Sequence, residues 1–248
     1  MAGHSKFKNI MHRKGAQDKK RAKVFSRLIR EISVATKLGL PDPGSNPRLR
    51  TAINNALAAN MPKENIDRAI KKNSEGANDN SIEEIIYEGF GLSGVAVIID
   101  CLTDNKNRTA SEIRAIFNKY NGNLGTNGSV KHFFDRVGII TFPKTICSYD
   151  EIFEFSLQIS ANDVEETIDK YEIISSLELY NEVSEALEKK FQIPESSNLD
   201  WKPKSLIDIS ESDCETVLKM IEKLEDSDDV QNLSTNCNFK DEFLEKII

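Results

Sequence analysis

Apolar residues recur at intervals of three and four over the first part of the chain, which is the spacing of an amphipathic helix. The clearest case is residues 17–38, where Gly39 and the prolines that follow it end the pattern. The apolar stripe of this predicted helix consists of Ala22, Phe25, Leu28, Ile29, Ile32 and Ala35. One face of the helix therefore packs and the opposite face remains exposed.

Two shorter helices are predicted after it. Asn46 followed by Pro47 is typical of an N-cap and a first helical residue, and Pro62 marks the start of the third helix. That pattern ends at Lys71 and Lys72, where cations suit the negative end of the helix dipole. Three short helices can pack on one another, and the polar stretch 73–80 is predicted to be a linker.

The period then changes to that of strands. Runs rich in β-branched and aromatic residues lie at 85–87, 95–102, 130–134 and 138–142, and a helical pattern lies at 109–120. The result is a β, α, β, β pattern that lacks one helix and one strand. A second set follows, with helices at 150–160 and 177–190, strands at 164–167 and 171–175, and a strand before Trp201.

A last helix at 211–224 and a last strand at 229–235 remain, and we infer that they complete the middle domain. The predicted fold class is α+β with three domains, the third inserted into the second. The domains are a basic helical domain of residues 1–79, a central α/β domain of residues 80–142 plus 205–248, and an acidic α/β domain of residues 143–204.

Charge is segregated along the chain, although the total is only −7. Residues 1–75 contain 17 Lys and Arg against 6 Asp and Glu, whereas residues 143–248 contain 10 against 26. A basic N-terminal region of this kind indicates a polyanionic partner, such as DNA or ribosomal RNA.

The first helix is the sharpest candidate site. On a helical wheel its cations share an arc of about 100° opposite the apolar stripe. They are Lys19, Lys20, Lys23, Arg27, Arg30 and Lys37, and the preceding arm adds Lys6, Lys8, His12, Arg13 and Lys14. An ordinary solvated face is the alternative, but such faces mix signs and only Glu31 lies near this arc. We predict that the exposed cations bind phosphates.

Other motifs favour structural roles. Gly89, Gly91 and Gly94 spell G-x-G-x-x-G, but a strand follows where a dinucleotide-binding motif needs a helix, so a hairpin turn is favoured. The polar run 103–109 is interpreted as a helix cap, with a binding loop as the alternative, and the glycine-rich stretch 121–128 as a turn or an RNA-contacting tip. His132 is interpreted as structural, and the acidic residues around Asp229 as a solvated turn.

Several classes are disfavoured by what the sequence lacks. Its longest purely apolar run, residues 95–99, is far below the roughly 20 residues that cross a bilayer. Four scattered cysteines indicate free thiols in a reducing cytosol, and no spacing predicts a metal site or a catalytic nucleophile with its base. We expect a soluble, cytoplasmic, non-enzymatic protein with no cofactor, no metal, no membrane partner and no small-molecule substrate.

Nearly the whole sequence resembles the YebC family. The segments that carry the resemblance include MAGHSKFKNIMHRK from Met1, FSRLIREI from Phe25, NMPKENIDRAIKK from Asn60, YEGFGLSG from Tyr87, LTDNKNRT from Leu102 and GNLGTNGSV from Gly122. Among the departures, Ser160 stands where the family commonly has glycine. The resemblance implies a helical N-terminal domain and two ferredoxin-like α/β domains.

The resemblance also implies a role in gene expression. Family members are described as DNA-binding transcriptional regulators and as translational activators that act on ribosomes, some of them at polyproline stretches. We therefore expect a nucleic-acid-binding regulator of gene expression, with a ribosome-associated translational activator as the alternative.

Overall fold

The computed structural model describes residues 17–74 and 82–240, with side chains from residue 21 onward. These residues form two compact units. One unit combines residues 18–74 with 136–200, and the other combines residues 82–135 with 201–240.

Three helices form the N-terminal region, as predicted: α1 (Gln17–Leu38), α2 (Pro47–Ala58) and α3 (Lys63–Ser74). Asn46 is the N-cap of α2, because its Oδ1 accepts a hydrogen bond from the Leu49 amide at 3.1 Å. Its Nδ2 donates to the Ala35 carbonyl at 2.8 Å, so one side chain joins the end of α1 to the start of α2. Helix α3 extends to Ser74, and thus takes in the first two residues of the predicted linker.

The next elements are two strands, a helix and a short strand: β1 (Glu83–Phe90), β2 (Ala96–Thr103), α4 (Lys106–Lys119) and β3 (Asn123–Leu124). Strand β1 pairs antiparallel with both β2 and β3. Gly89 of β1 lies under the ring of Phe117, and a Cβ at this position would come within 2.8 Å of that ring. Glycine here lets α4 approach the sheet closely.

A second sheet follows in the order of a ferredoxin-like fold. Its elements are β4 (Phe134–Pro143), α5 (Tyr149–Gln158), β5 (Asp163–Glu166), β6 (Lys170–Ser175), α6 (Tyr180–Phe191) and β7 (Ser196–Pro203). The strands lie in the order β5-β6-β4-β7, which is that of a β-α-β-β-α-β unit. Its core contains Ile140, Ile152, Ile173 and Leu187, each fully buried.

The chain then returns to the first sheet. Helix α7 (Glu211–Glu225) packs on it beside α4, and β8 (Val230–Thr235) pairs antiparallel with β2, which completes the order β3-β1-β2-β8. The last helix and strand thus belong with β2. The fold is α+β, with an N-terminal helical region and a third domain inserted into the second, as predicted.

Two strand predictions differ from the structure. The run 130–134 forms a 3-10 turn at Lys131–Phe133, so His132 lies in a turn and not in a strand. The run 138–142 is a strand, but it pairs with β6 in the second sheet, whereas the sequence pattern placed it in the central domain. Local residue preferences predict that a segment forms a strand, but the strand with which it pairs depends on residues far along the chain.

Candidate nucleic-acid interface

The apolar stripe of α1 packs as the sequence predicts, with one exception. Phe25, Leu28, Ile29, Ile32 and Ala35 belong to a core that they share with α2 and α3. Leu49 and Ala56 of α2 are fully buried in this core, and Ile66 of α3 is only 2% exposed. Ala22 is exposed, so the packed stripe begins at Phe25. The cationic arc therefore lies on the side of α1 away from the helical core.

The cations of this arc are less exposed than the helical wheel predicts. Lys23, Arg27 and Arg30 are half-buried, and Lys37 is exposed. The side chains of Lys19 and Lys20, and the whole of Lys6, Lys8, His12, Arg13 and Lys14, lie outside the described residues. Arg21, which was not predicted, is exposed and its guanidinium lies 5.3 Å from the centre of the Phe25 ring.

The expectation of fully exposed cations is wrong, and the C-terminal part of α1 packs on more than one side. Residues 32–36 are all buried, including Ser33 and Thr36. Glu31 forms a bidentate pair with Arg48 of α2, with N–O distances of 2.7 and 3.1 Å. Burial is the main cause of the raised pKa of Tyr180 in α6, and the Glu31 carboxylate adds to it. A helical wheel assumes one packing face, whereas five consecutive residues of α1, 32–36, are buried.

The end of α3 extends the basic surface. The Nδ2 of Asn73 donates to the Oγ of Ser33 at 3.0 Å, which brings the end of α3 beside α1. On the wheel, Ser33 adjoins the edge of the cationic arc that carries Lys37. Lys71 and Lys72 are exposed at this end of α3. The sequence pattern explains these two lysines through the helix dipole alone, and their clustering is the signal that indicates a wider basic surface.

The opposite face of α2 is occupied by the inserted domain. The side chain of Asn55 forms two hydrogen bonds with the backbone of Ser197 in β7, and Asn54 donates to Glu188 of α6 at 3.0 Å. The Tyr180 hydroxyl lies 2.8 Å from the Ser197 hydroxyl. Burial raises the pKa of Tyr180 to about 12, although its hydrogen bonds act in the other direction. This face of α2 is thus unavailable for a nucleic acid.

The other unit contains a carboxylate that organises the glycine-rich loop. The side chain of Glu88 in β1 is fully buried and accepts hydrogen bonds from the amides of Gly128, Val130 and Lys131 at 2.8 to 3.0 Å. Burial alone would raise the pKa of Glu88, but these three donors and the Lys131 ammonium outweigh it and lower the pKa below its ordinary value. These hydrogen bonds anchor the loop to β1, and its tip, residues 126–128, is exposed.

The polar run after β2 is a helix cap, as predicted. The Oδ1 of Asn105 accepts a hydrogen bond from the Arg108 amide at 3.1 Å and so caps α4.

Asp229 is buried, whereas the sequence predicts a solvated turn there. Its Oδ2 accepts hydrogen bonds from Thr103, Arg108 and Thr109 at 2.6 to 3.1 Å. Burial raises the pKa of Asp229, but these donors lower it further, so that it lies below its ordinary value. These hydrogen bonds engage Thr103, Arg108 and Thr109, whereas Lys106 and Asn107 of the same run are exposed.

The motifs that suggest chemistry have structural explanations. Gly89, Gly91 and Gly94 lie at the β1–β2 connection, where only a one-turn 3-10 segment precedes β2. Ser93 and Gly94 have φ of 59° and 78°, which a tight turn requires. The four cysteines are free. Within residues 17–74 and 82–240, no three His, Cys, Asp or Glu side chains are grouped as metal ligands, and no helix is long and apolar enough to cross a membrane.

The fold is therefore that of a three-domain α+β protein with a basic helical region. The family model described as the TACO1/YebC N-terminal domain matches residues 5–76, and the model for the second and third domains matches residues 82–237. The chain belongs to the TACO1/YebC family.

A curated relative and a solved structure agree with this assignment. The chain is 51% identical over 247 residues to a "probable transcriptional regulatory protein" of Zymomonas mobilis, a match that covers 100% of this chain and 99% of the relative. The crystal structure of a conserved hypothetical protein, Aq1575, from Aquifex aeolicus superposes with a TM-score of 0.83 at 45% identity. That match covers 88% of this chain and 90% of the other.

Proposed function

We propose that this protein is a cytoplasmic, non-catalytic regulator of gene expression that binds nucleic acid through the basic surface of α1 and the end of α3. The observation that carries the proposal is the separation of faces on α1, where the apolar residues pack inward and the cations share the other side. The name of the Zymomonas relative, a transcriptional regulatory protein, supports DNA as the ligand.

A second candidate is a ribosome-associated translational activator, for example one that relieves stalling at polyproline stretches. It is favoured by the side chains that the basic surface offers, because among the described side chains the arc contains no Asn or Gln to read adenine, and its Lys and Arg bind the phosphates of any nucleic acid. Such a surface suits the phosphates of a folded RNA as well as those of a DNA duplex.

The two candidates are separated by binding at matched ionic strength. The wild-type protein would be titrated against a random DNA duplex and against purified ribosomes, with sedimentation as the readout for the second. Tighter binding to the duplex supports the transcriptional function, and tighter binding to ribosomes supports the translational one. If the protein binds neither at low salt, both candidates are wrong.

A further inference from the structure

Helix α5 of the inserted domain carries a row of large apolar side chains that the protein leaves exposed. Tyr149, Phe153 and Leu157 follow one another at four-residue spacing and are 36%, 36% and 60% exposed. Residues four apart lie on one face of a helix, so the three form a continuous stripe. The packing face of α5 is separate, because Ile152 and Ser156 are buried.

The stripe is a preformed surface. The rings of Tyr149 and Phe153 stack with their centres 5.6 Å apart and their planes 21° from parallel. Tyr149 also lies against Tyr171 of β6, with ring centres 6.1 Å apart. The two stacked rings have little side-chain freedom left to lose on binding, which favours the use of this face as an interface.

Uncompensated acidic side chains border the stripe. On a helical wheel, Asp150 and Glu154 lie within about 100° of Phe153 on the same side. Both are exposed, and neither forms an ion pair with any residue that the structure describes. Glu151, farther around the helix, is paired with Lys190 at 3.4 Å. The surrounding residues 143–200 contain 14 acidic and 4 basic residues.

We propose that the stripe of Tyr149, Phe153 and Leu157 binds a segment of a partner protein in which apolar side chains alternate with Lys or Arg. Apolar side chains of that segment would cover the stripe, and its cations would face Asp150 and Glu154. The acidic border disfavours a nucleic acid or an anionic membrane on this face. An antiparallel symmetric pair of α5 helices would bring the like charges of the two borders together, which disfavours a homodimer of that kind.

The test uses the full chain and a synthetic probe. The probe is a 14-residue peptide of Leu and Lys with its Leu residues at helical spacing, and the comparison peptide replaces Leu with Ser at the same charge. We expect calorimetry to detect binding of the Leu/Lys peptide. The F153S/L157S variant should bind it about tenfold more weakly or worse, because the apolar area that the peptide covers is removed.

Two further variants separate the contribution of the acidic border from that of the apolar stripe. D150N/E154Q should weaken binding and flatten its dependence on salt, because two charges that face the peptide are removed. L38S/L40S is the matched control, since it removes two exposed apolar side chains at the α1–α2 connection, and should bind as the wild type does. Circular dichroism would verify that each variant is folded. If F153S/L157S does not fold, the single variant L157S, which changes the most exposed residue of the stripe, would be used in its place.

Three results would overturn the proposal. The Ser/Lys peptide could bind as tightly as the Leu/Lys peptide, which would mean that only net charge is involved. Loss of the stripe could leave Leu/Lys binding unchanged. Sedimentation could also show a wild-type dimer that F153S/L157S converts to a monomer, which would mean that a second copy covers the stripe.

Discussion

The carboxamide of Asn55 in α2 pairs with both backbone polar groups of Ser197 in β7. Its Nδ2 donates to the Ser197 carbonyl at 2.8 Å, and its Oδ1 accepts from the Ser197 amide at 2.9 Å. The two residues are 142 positions apart in the sequence. One side chain thus takes the place of a neighbouring strand and attaches the helical region to the edge of the second sheet.

The Asn55→Ala variant should therefore lose stability. Ser197 is buried, so two of its backbone groups would be left without partners, at a cost of about 1 to 3 kcal/mol in the free energy of unfolding. Urea denaturation would measure this change. Asn54→Ala is the matched control, because it removes a single hydrogen bond to a side chain, and it should cost about 1 kcal/mol or less. Equal losses in the two variants would contradict the role of Asn55.

Glu88 predicts a pH dependence of stability. Its pKa is lower in the folded protein than its ordinary value of 4.5, so the folded state binds fewer protons than the unfolded state. The stabilisation is therefore complete above about pH 4.5 and is lost as the pH falls through the folded pKa. The Glu88→Gln variant should lose about 2 to 3 kcal/mol at neutral pH, and the gap to wild type should narrow in acid.

Denaturation at several pH values would test this expectation. Glu83→Gln in the same strand is the control, because that side chain is exposed and should give a nearly constant, small difference from wild type. A Glu88→Gln variant as stable as wild type at neutral pH would show that the glycine-rich loop does not depend on this carboxylate.

Ser160 occupies a backbone position that suits glycine. Its φ is 61°, in the left-handed region, and the amide of Ala161 donates to the Ser156 carbonyl at 2.9 Å, as in a Schellman motif that ends α5. Ser160→Gly should relieve the strain and raise the free energy of unfolding by about 0.5 to 1 kcal/mol, or the melting temperature by about 2 °C. Ser160→Ala keeps the Cβ and should give no gain. The melting temperatures of both variants, measured by calorimetry, would test whether only Ser160→Gly is more stable than wild type.

How much the sequence predicts depends on how local the cause is. The caps at Asn46 and Asn105 and the apolar stripe of α1 were predictable, because they follow from neighbours within a few residues. The pairing of Asn55 with Ser197 was not, since it depends on a domain more than 100 residues away in the sequence. The half-burial of Arg27 also does not follow from the local pattern. The buried position of Glu88 could not be predicted, because an isolated glutamate in a strand has the same sequence pattern as an exposed glutamate.

The basic surface of α1 is tested most directly by the salt dependence of nucleic-acid binding. The variant K23Q/R27Q/R30Q removes three cations of the arc. Their half-burial predicts a modest loss of stability, so the melting temperature must be measured alongside. The matched control is K106Q/K189Q/K219Q, which removes the same charge from lysines whose side chains are 63%, 75% and 58% exposed elsewhere.

The measurement is the slope of log affinity against log salt on a random DNA duplex, with ribosomes assayed in parallel. Removing one cation that neutralises a phosphate should reduce the slope by about 0.9, so removing three should reduce it by about two to three. We expect this reduction, together with weaker ribosome association if the translational function is correct, and a slope close to wild type for the control. If K23Q/R27Q/R30Q remains folded and binds both ligands with the wild-type affinity and slope, α1 is not the nucleic-acid interface.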